Sequence, residues 1–161
     1  MIFCYSASQN SKAYATVLSR VTNLPIYMLE IENNDPTRLS FPARAIWSFI
    51  TKNPIPITNM PGADSFNSEE IYICGPIWGG KPSTPLQFFL QNAPLNGKKV
   101  HMLLTAGISH TKYPENARKI LANTNCTLGN VEVFAVDKNS NIEPDIVEKH
   151  IRELMFGGDE A

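Results

Sequence analysis

The sequence carries almost no net charge: 14 basic and 15 acidic residues leave −1 at pH 7 over 161 residues. Nucleic-acid-binding domains have a strong positive excess, so this balance argues against a nucleic-acid partner. No charged start leads into an apolar signal core, and no apolar run approaches the roughly 20 residues that span a membrane. We therefore expect a cytoplasmic protein without membrane attachment.

Cysteine is also scarce, with three residues, an odd number, and no C-x-x-C pair. Cys4 and Cys74 each lie inside an apolar, strand-like run. This usage favours small buried thiols in a reducing compartment over a disulfide or a metal site. The chain also lacks internal repeats and the G-x-G-x-x-G dinucleotide fingerprint, and its length suits one domain spanning residues 1–161.

What the sequence does contain is an alternation of apolar runs and amphipathic stretches. Five short apolar runs predict strands, namely Met1–Tyr5, Pro25–Ile31, Ile71–Cys74, Val100–Leu104 and Val131–Val136. Helices are expected to begin near Lys12, Ser40, Ser83, Pro114 and Pro144. Because the strands are apolar on both faces, we predict a parallel sheet covered on both sides, a three-layer α/β/α sandwich.

Two local expectations accompany this assignment. In the second helix, a buried stripe is predicted at Ala43, Ile46, Trp47 and Ile50. The polar segment Asn125–Asn130 is expected to be a turn that precedes the fifth strand.

Small polar residues follow the first strand directly. They are Ser6, Ser8, Gln9, Asn10 and Ser11. Free backbone N–H groups and the positive end of the helix dipole point into such a turn, and three serine hydroxyls add donors. The turn holds no arginine, so a phosphate there would be bound mainly by neutral groups. An ordinary strand–helix loop with a serine cap is the alternative.

Two further loops are expected beside this one. In a doubly wound sheet of order 2-1-3-4-5, the ends of strands one, three and four meet at one edge, where ligands bind. The segment after strand three supplies Pro76, Ile77, Trp78, Gly79 and Gly80, with Trp78 as an aromatic platform. The segment after strand four supplies Thr105, Ala106 and Gly107, which allow close approach of the backbone.

With these motifs the chain resembles the flavodoxin family. The S/T-x-S/T-x-N-S/T loop that binds the FMN phosphate in that family is matched by residues 6–11, and its P-x-W-G loop by residues 76–79. The resemblance implies bound FMN, with the phosphate on the serines and the flavin ring against Trp78. Gln9 stands where the family usually has glycine, and Tyr113 or His110 is the candidate for the outer face of the ring.

Two functions follow from the resemblance. The first is electron transfer to or from partner redox proteins, a reductase and an acceptor. The second is an FMN-dependent NAD(P)H oxidoreductase of the quinone or flavin reductase type, as a monomer or a homodimer. Electron-carrier flavodoxins are strongly acidic around the flavin, whereas Lys81, His110 and Lys112 lie near the ring here. A member that has lost flavin is a third reading, against which the intact Trp78 loop argues.

Two other α/β classes fit less well. Cys4 could suggest a low-molecular-weight phosphatase, but no arginine follows it to hold the phosphoryl group. A receiver domain needs an aspartate at the end of strand three, where Gly75 stands. His101 and His150 fall within a predicted strand and helix, and we expect structural or surface roles for them.

Overall fold

The computed structural model describes residues 1–32, 40–107, 112–136 and 143–157, without the side chains of residues 40–42, 44, 47 and 49. The strands are β1 (Ile2–Tyr5), β2 (Ile26–Leu29), β3 (Glu70–Trp78), β4 (Lys81–Pro82), β5 (Lys99–Ala106) and β6 (Thr127–Ala135). The α-helices are α1 (Gln9–Thr22), α2 (Ser40–Thr51), α3 (Thr84–Asn92), α4 (Lys112–Leu121) and α5 (Pro144–Phe156). A 3-10 turn covers Ala63–Phe66.

The sheet is parallel, with strand order β2-β1-β3-β5-β6. The two-residue β4 pairs antiparallel with β3 and was not predicted. When β4 is left out and the other strands are counted one to five, the order is the predicted 2-1-3-4-5. The chain reverses its direction of travel across the sheet between β1 and β3. Ligands of such sheets bind where the order reverses, at the carboxyl ends of the strands.

Two apolar cores cover the two faces of the sheet, as the strand pattern predicted. Alternate strand residues such as Phe3 and Ile73 pack with α3 and α4 on one face. Their neighbours Cys4 and Cys74 pack with α1 and α5 on the other face. Because a strand's side chains alternate between faces, strands that are apolar throughout are buried by helices on both sides.

Three boundaries differ from the sequence prediction by three residues or more. Helix α1 begins at Gln9 rather than near Lys12, since Ser8 takes the extended conformation of an N-cap. Strand β3 continues to Trp78 rather than ending at Cys74, because β5 pairs with residues 75–76 and β4 pairs with residues 77–78. Strand β6 begins at Thr127, inside the segment expected to be a turn, because a strand that pairs only with β5 among the described residues tolerates polar side chains.

The predicted buried stripe of α2 is wrong. Ala43 is exposed, and Ile46 and Ile50 are 61% and 69% exposed. Ser48 faces inward instead, where its hydroxyl lies 3.0 Å from that of Thr84. The described residues Ala43, Ile46 and Ile50 of the predicted stripe therefore face outward. The side chain of Trp47 lies outside the described part of the chain.

No helix within the described ranges is long and apolar enough to cross a membrane.

Candidate functional site

The loop after β1 is organised by Ser6. Its hydroxyl accepts a hydrogen bond from the backbone N–H of Lys12 at 3.2 Å and donates to the Ser8 carbonyl. Ser8 is the exposed N-cap of α1, with φ of −124°. Residues 9–11 begin the helix, and their N–H groups have no acceptor within it, because the residues four positions back lie before the helix. They form the donor end of the helix, where anions bind.

Gln9 occupies the position at which the resembled family usually has glycine, and the loop accommodates it. It is exposed as the first residue of α1, and Asn10 beside it is half-buried. Among the described non-glycine residues, positive φ occurs only at Asn23 and Lys52. The backbone at position 9 therefore makes no demand that only glycine could meet.

Ser11 is placed differently from Ser6 and Ser8. It is 1% exposed, and its hydroxyl lies 2.6 Å from the hydroxyl of Thr105 at the end of β5. This hydrogen bond joins the first predicted loop to the third. Its part as a phosphate donor remains a prediction, and the hydroxyl would have to serve Thr105 and a ligand together.

The second predicted loop is a β-hairpin rather than an open loop. Trp78 pairs with Lys81, which leaves Gly79 and Gly80 as a two-residue turn with φ of 53° and 81°. Positive φ at both central positions is the requirement of a type I′ turn, whose twist matches that of the strands it joins. Pro76 and Ile77 lie in β3, so that Pro76 is level with Thr105 across the sheet.

Trp78 stands beside the end of β1. Its ring meets the ring of Tyr5 edge-on, with centroids 6.0 Å apart. Trp78 also borders an almost wholly apolar cavity of about 260 Å³, lined by Trp78 and Gly79 from the hairpin and by three residues of α2. These are Ala45, Ile46 and Ile50. The outward-facing stripe of α2 therefore forms one wall of a cavity at the predicted site.

The third loop is described only in part. Thr105 and Ala106 are buried at the end of β5, and Gly107 is exposed. His110 lies outside the described residues. The next described residues are Lys112 and Tyr113, at the start of α4.

Helix α4 holds the tip of the hairpin. The side-chain amide of Asn116 donates to the Gly80 carbonyl at 2.7 Å. A Cβ added at Gly80 would lie 3.3 Å from Cε1 of Tyr113, so the tyrosine ring rests against the turn. Sequence reasoning did not find Asn116, which belongs to no motif. The Gly79–Gly80 pair between two extended residues is itself the usual pattern of a tight hairpin.

The thiol of Cys4, at the end of β1, is buried. Burial raises the pKa of Cys4 to about 12, against a smaller opposite effect from Lys12. A thiol with this pKa stays protonated and is no nucleophile at neutral pH.

The exposed lysines Lys12, Lys81 and Lys112 lie around the loops. No group of three or more His, Cys, Asp or Glu in the described ranges could hold a metal ion.

A larger cavity, of about 500 Å³, lies away from these loops. It is formed by the C-terminal ends of α3 and α4 and the segments leading into β5 and β6, at the amino edge of the sheet. Exposed carboxamides, among them Gln91, Asn96 and Asn123, surround apolar Leu90 and Leu95. None of the predicted site residues reaches it.

The parallel sheet of this order, with its ligand edge at the ends of β1, β3 and β5, defines a flavodoxin-like fold. Similar solved structures include a flavoprotein in complex with FMN from Lactobacillus acidophilus, with 22% identity and a TM-score of 0.66 over 82% of this chain and 90% of that one. The flavodoxin of Streptococcus pneumoniae matches at 14% identity, with 95% of both chains covered and a TM-score of 0.53.

An NAD(P)H:quinone oxidoreductase from Methanothermobacter marburgensis is also similar, at 10% identity and a TM-score of 0.54 over 96% of this chain and 94% of that one. No protein-family model and no curated protein sequence matches the chain. At these identities the similarity establishes the fold.

Proposed function

We propose that the protein binds FMN at the carboxyl edge of the sheet and transfers electrons to or from partner redox proteins. The main observation in support is that the hydroxyl loop after β1 and the Trp78 hairpin lie at one edge of the sheet. The Ser11–Thr105 hydrogen bond joins the first loop to β5 at the same edge. This combines an anion-binding helix end with an aromatic platform, the two parts that a phosphorylated flavin needs.

The phosphate half fits the donors of the β1–α1 loop. Ser8 is exposed, and the first N–H groups of α1 have no helical acceptor. Ser6 already donates to the Ser8 carbonyl, so its hydroxyl would exchange that acceptor for a phosphate oxygen. The exchange replaces a neutral acceptor with a charged one, which makes the hydrogen bond stronger.

The ring half fits Trp78 and its neighbours. A planar ring against the indole would gain an aromatic contact and lose water from one face. The cavity between the hairpin and α2 offers apolar walls for such a ring. When bound, FMN would supply the redox chemistry, while the chain supplies binding, orientation and exclusion of water.

One phosphate site favours FMN over a dinucleotide flavin. The chain has no G-x-G-x-x-G sequence after β1 to hold a pyrophosphate. The Lactobacillus acidophilus flavoprotein of the same fold carries FMN, which supports this choice.

A second function, FMN-dependent oxidation of NAD(P)H, is favoured by the charge around the hairpin. Lys81 and Lys112 are exposed there, and the sequence segments 6–12, 75–81 and 105–110 contain no acidic residue. An anionic dinucleotide suits such a surface better than the basic face of a partner protein does. The quinone oxidoreductase of similar fold supports this candidate, which could act as a monomer or a homodimer.

The FMN proposal is tested by titrating the flavin-free protein with FMN, FAD and riboflavin and following flavin fluorescence. We expect quenching and tight binding with FMN, and weaker binding with riboflavin. Mass spectrometry of the flavin released from freshly purified protein identifies the natural occupant. Protein that neither retains nor rebinds FMN would refute the proposal.

Adding NADPH or NADH to the FMN-loaded protein under nitrogen separates the two functions. For an electron carrier we expect the flavin to stay yellow until a reductase is added. Rapid bleaching without a reductase would favour the oxidoreductase.

A further inference from the structure

Helix α4 and the β3–β4 hairpin are in direct contact at the ligand edge. The turn residues Gly79 and Gly80 belong to the hairpin, whereas Asn116 lies in the second turn of α4. The side chain of Asn116 crosses between them and donates to the Gly80 carbonyl at 2.7 Å. Among the contacts described at the turn, this is the hydrogen bond that ties the tip of the hairpin to another element.

We infer that Asn116 is a positioning residue that fixes the Gly79–Gly80 turn and thereby sets the affinity of the flavin-ring site. This inference rests on the proposed binding of FMN next to Trp78. Asn116 is not itself required to touch the cofactor, since it acts through the backbone of the hairpin.

The geometry of the turn explains why a fixing group is needed. A Gly-Gly pair has the largest conformational freedom of any two residues, so a turn built from it loses the most entropy when it is ordered. Gly79 is exposed, so little packing restrains it. The hydrogen bond to Gly80 and the ring of Tyr113 restrain the turn before a ligand arrives.

The same hydrogen bond also supports the pair that closes the hairpin, Trp78 with Lys81. It directs the Gly80 carbonyl toward α4. A peptide carbonyl and the N–H of the next residue point to opposite sides of the peptide plane. Holding the Gly80 carbonyl therefore also orients the N–H of Lys81, which lies opposite Trp78 in the hairpin.

The contact also links two of the three loops of the site. Helix α4 follows the third loop in the sequence, and Asn116 joins this helix to the hairpin. Pre-organisation of this kind improves affinity because ordering is not required on binding.

The test uses Asn116→Asp, which keeps the shape of the side chain but replaces the donor with a carboxylate that repels the Gly80 carbonyl. Asn116→Gln retains an amide and serves as the conservative variant. The matched control is Asn92→Asp, because Asn92 also donates its side-chain amide to a backbone carbonyl, that of Phe88 at 2.8 Å, and lies at the far end of α3.

Two readouts are followed in all three variants. The first is hydrogen exchange of the backbone amides of residues 78–81 in the flavin-free protein. We expect it to accelerate about tenfold in Asn116→Asp and to stay at the wild-type rate in Asn92→Asp, since one hydrogen bond is lost. The second is FMN affinity, for which we expect a loss of about three- to tenfold in Asn116→Asp and partial recovery in Asn116→Gln.

Unchanged exchange in Asn116→Asp would overturn the inference, and so would faster exchange with undiminished FMN affinity. A wild-type protein that binds no FMN would instead refute the proposed function, and the exchange experiment would still decide whether Asn116 fixes the turn.

Discussion

At the scale of single residues, the hydroxyl of Ser8 separates a phosphate site from an ordinary helix cap. Ser8 makes no side-chain capping hydrogen bond, so its removal should cost the fold little. If it donates to the FMN phosphate, Ser8→Ala loses a hydrogen bond to a charged acceptor, worth about 1.5–3 kcal/mol. We expect weaker FMN binding and almost unchanged riboflavin binding, measured by fluorescence titration.

Ser68→Ala is the control for this substitution. Ser68 is exposed just before β3, at the opposite edge of the sheet, and the change should leave both affinities as they are. Equal weakening of FMN and riboflavin by Ser8→Ala would mean that the phosphate lies elsewhere.

Trp78 is the residue expected to stack on the ring. Aromatic stacking contributes about 0.5–1.5 kcal/mol beyond the burial of apolar area. Trp78→Ala should weaken FMN binding and make the bound flavin more fluorescent, whereas Trp78→Phe keeps an aromatic face and should retain most of the affinity. Fluorescence of the saturated complexes checks this. Full quenching in Trp78→Ala would assign the stacking to another side chain.

At the scale of elements, the type I′ turn makes Gly79 a test of the hairpin. Its φ of 53° lies in the left-handed region, where a Cβ costs roughly 1–2 kcal/mol. Gly79→Ala should therefore lower the free energy of unfolding and weaken FMN binding together. Urea denaturation and flavin titration measure the two effects separately.

Gly97 supplies a matched comparison. Its φ is 73°, no atom lies within 4 Å of an added Cβ, and it belongs to the turn between α3 and β5. Gly97→Ala should carry a similar conformational cost without any loss of FMN affinity. If both variants lose affinity equally, the effect of Gly79 is one of global stability and not of the site.

The boundaries of the elements and the inward face of α2 were predicted least well from the sequence. The second half of β3 was missed because Gly75 and Pro76 are usual turn residues and because β4, which pairs with residues 77–78, is only two residues long. Helix α2 carries an apolar stripe of helical spacing, yet its inward position is taken by Ser48, whose partner Thr84 lies 36 residues away. Long-range hydrogen bonds of this kind leave no local pattern.

At the scale of the whole molecule, the layering could be predicted because it depends on burial, and the strand order because it was taken from the doubly wound class. Five runs that are apolar on both faces require helices on both sides, and the connections between them allow few topologies. The meeting of the three loops followed from that order. The hydrogen bond from Asn116 to the hairpin could not be predicted, because it depends on which face of α4 lies toward Gly80.

Global stability should depend on pH through His101, which is 4% exposed on β5. The Asn130 N–H donates to its Nδ1 at 3.1 Å, and its ring stacks on that of Tyr72 with centroids 4.6 Å apart. Burial lowers the pKa of His101, with a smaller opposite effect from Glu70 and a minor lowering by Lys99. The folded protein therefore holds this imidazole neutral below the pH at which a free histidine takes up a proton.

The direction of the pH effect follows from that lowered pKa. Below about pH 6.5 His101 is protonated in the unfolded chain but stays neutral in the folded protein. The free energy of unfolding therefore falls as the pH drops from about 6.5 toward the pKa of His101 in the folded protein. A single histidine contributes a slope of at most about 1.4 kcal/mol per pH unit. The lowered pKa of Glu70, caused first by its hydrogen bond to Lys99, acts only at more acidic pH.

Urea denaturation between pH 7.5 and 5.5 measures this slope. Wild type should lose stability over the interval, and His101→Gln should lose clearly less, because glutamine can accept the Asn130 N–H without titrating. His150→Gln, which removes a half-buried histidine from α5, should keep the wild-type slope since His101 is intact. A slope that survives in His101→Gln and disappears in His150→Gln would transfer the effect to the α5 face of the sheet, where His150 packs against Tyr14 and Phe134.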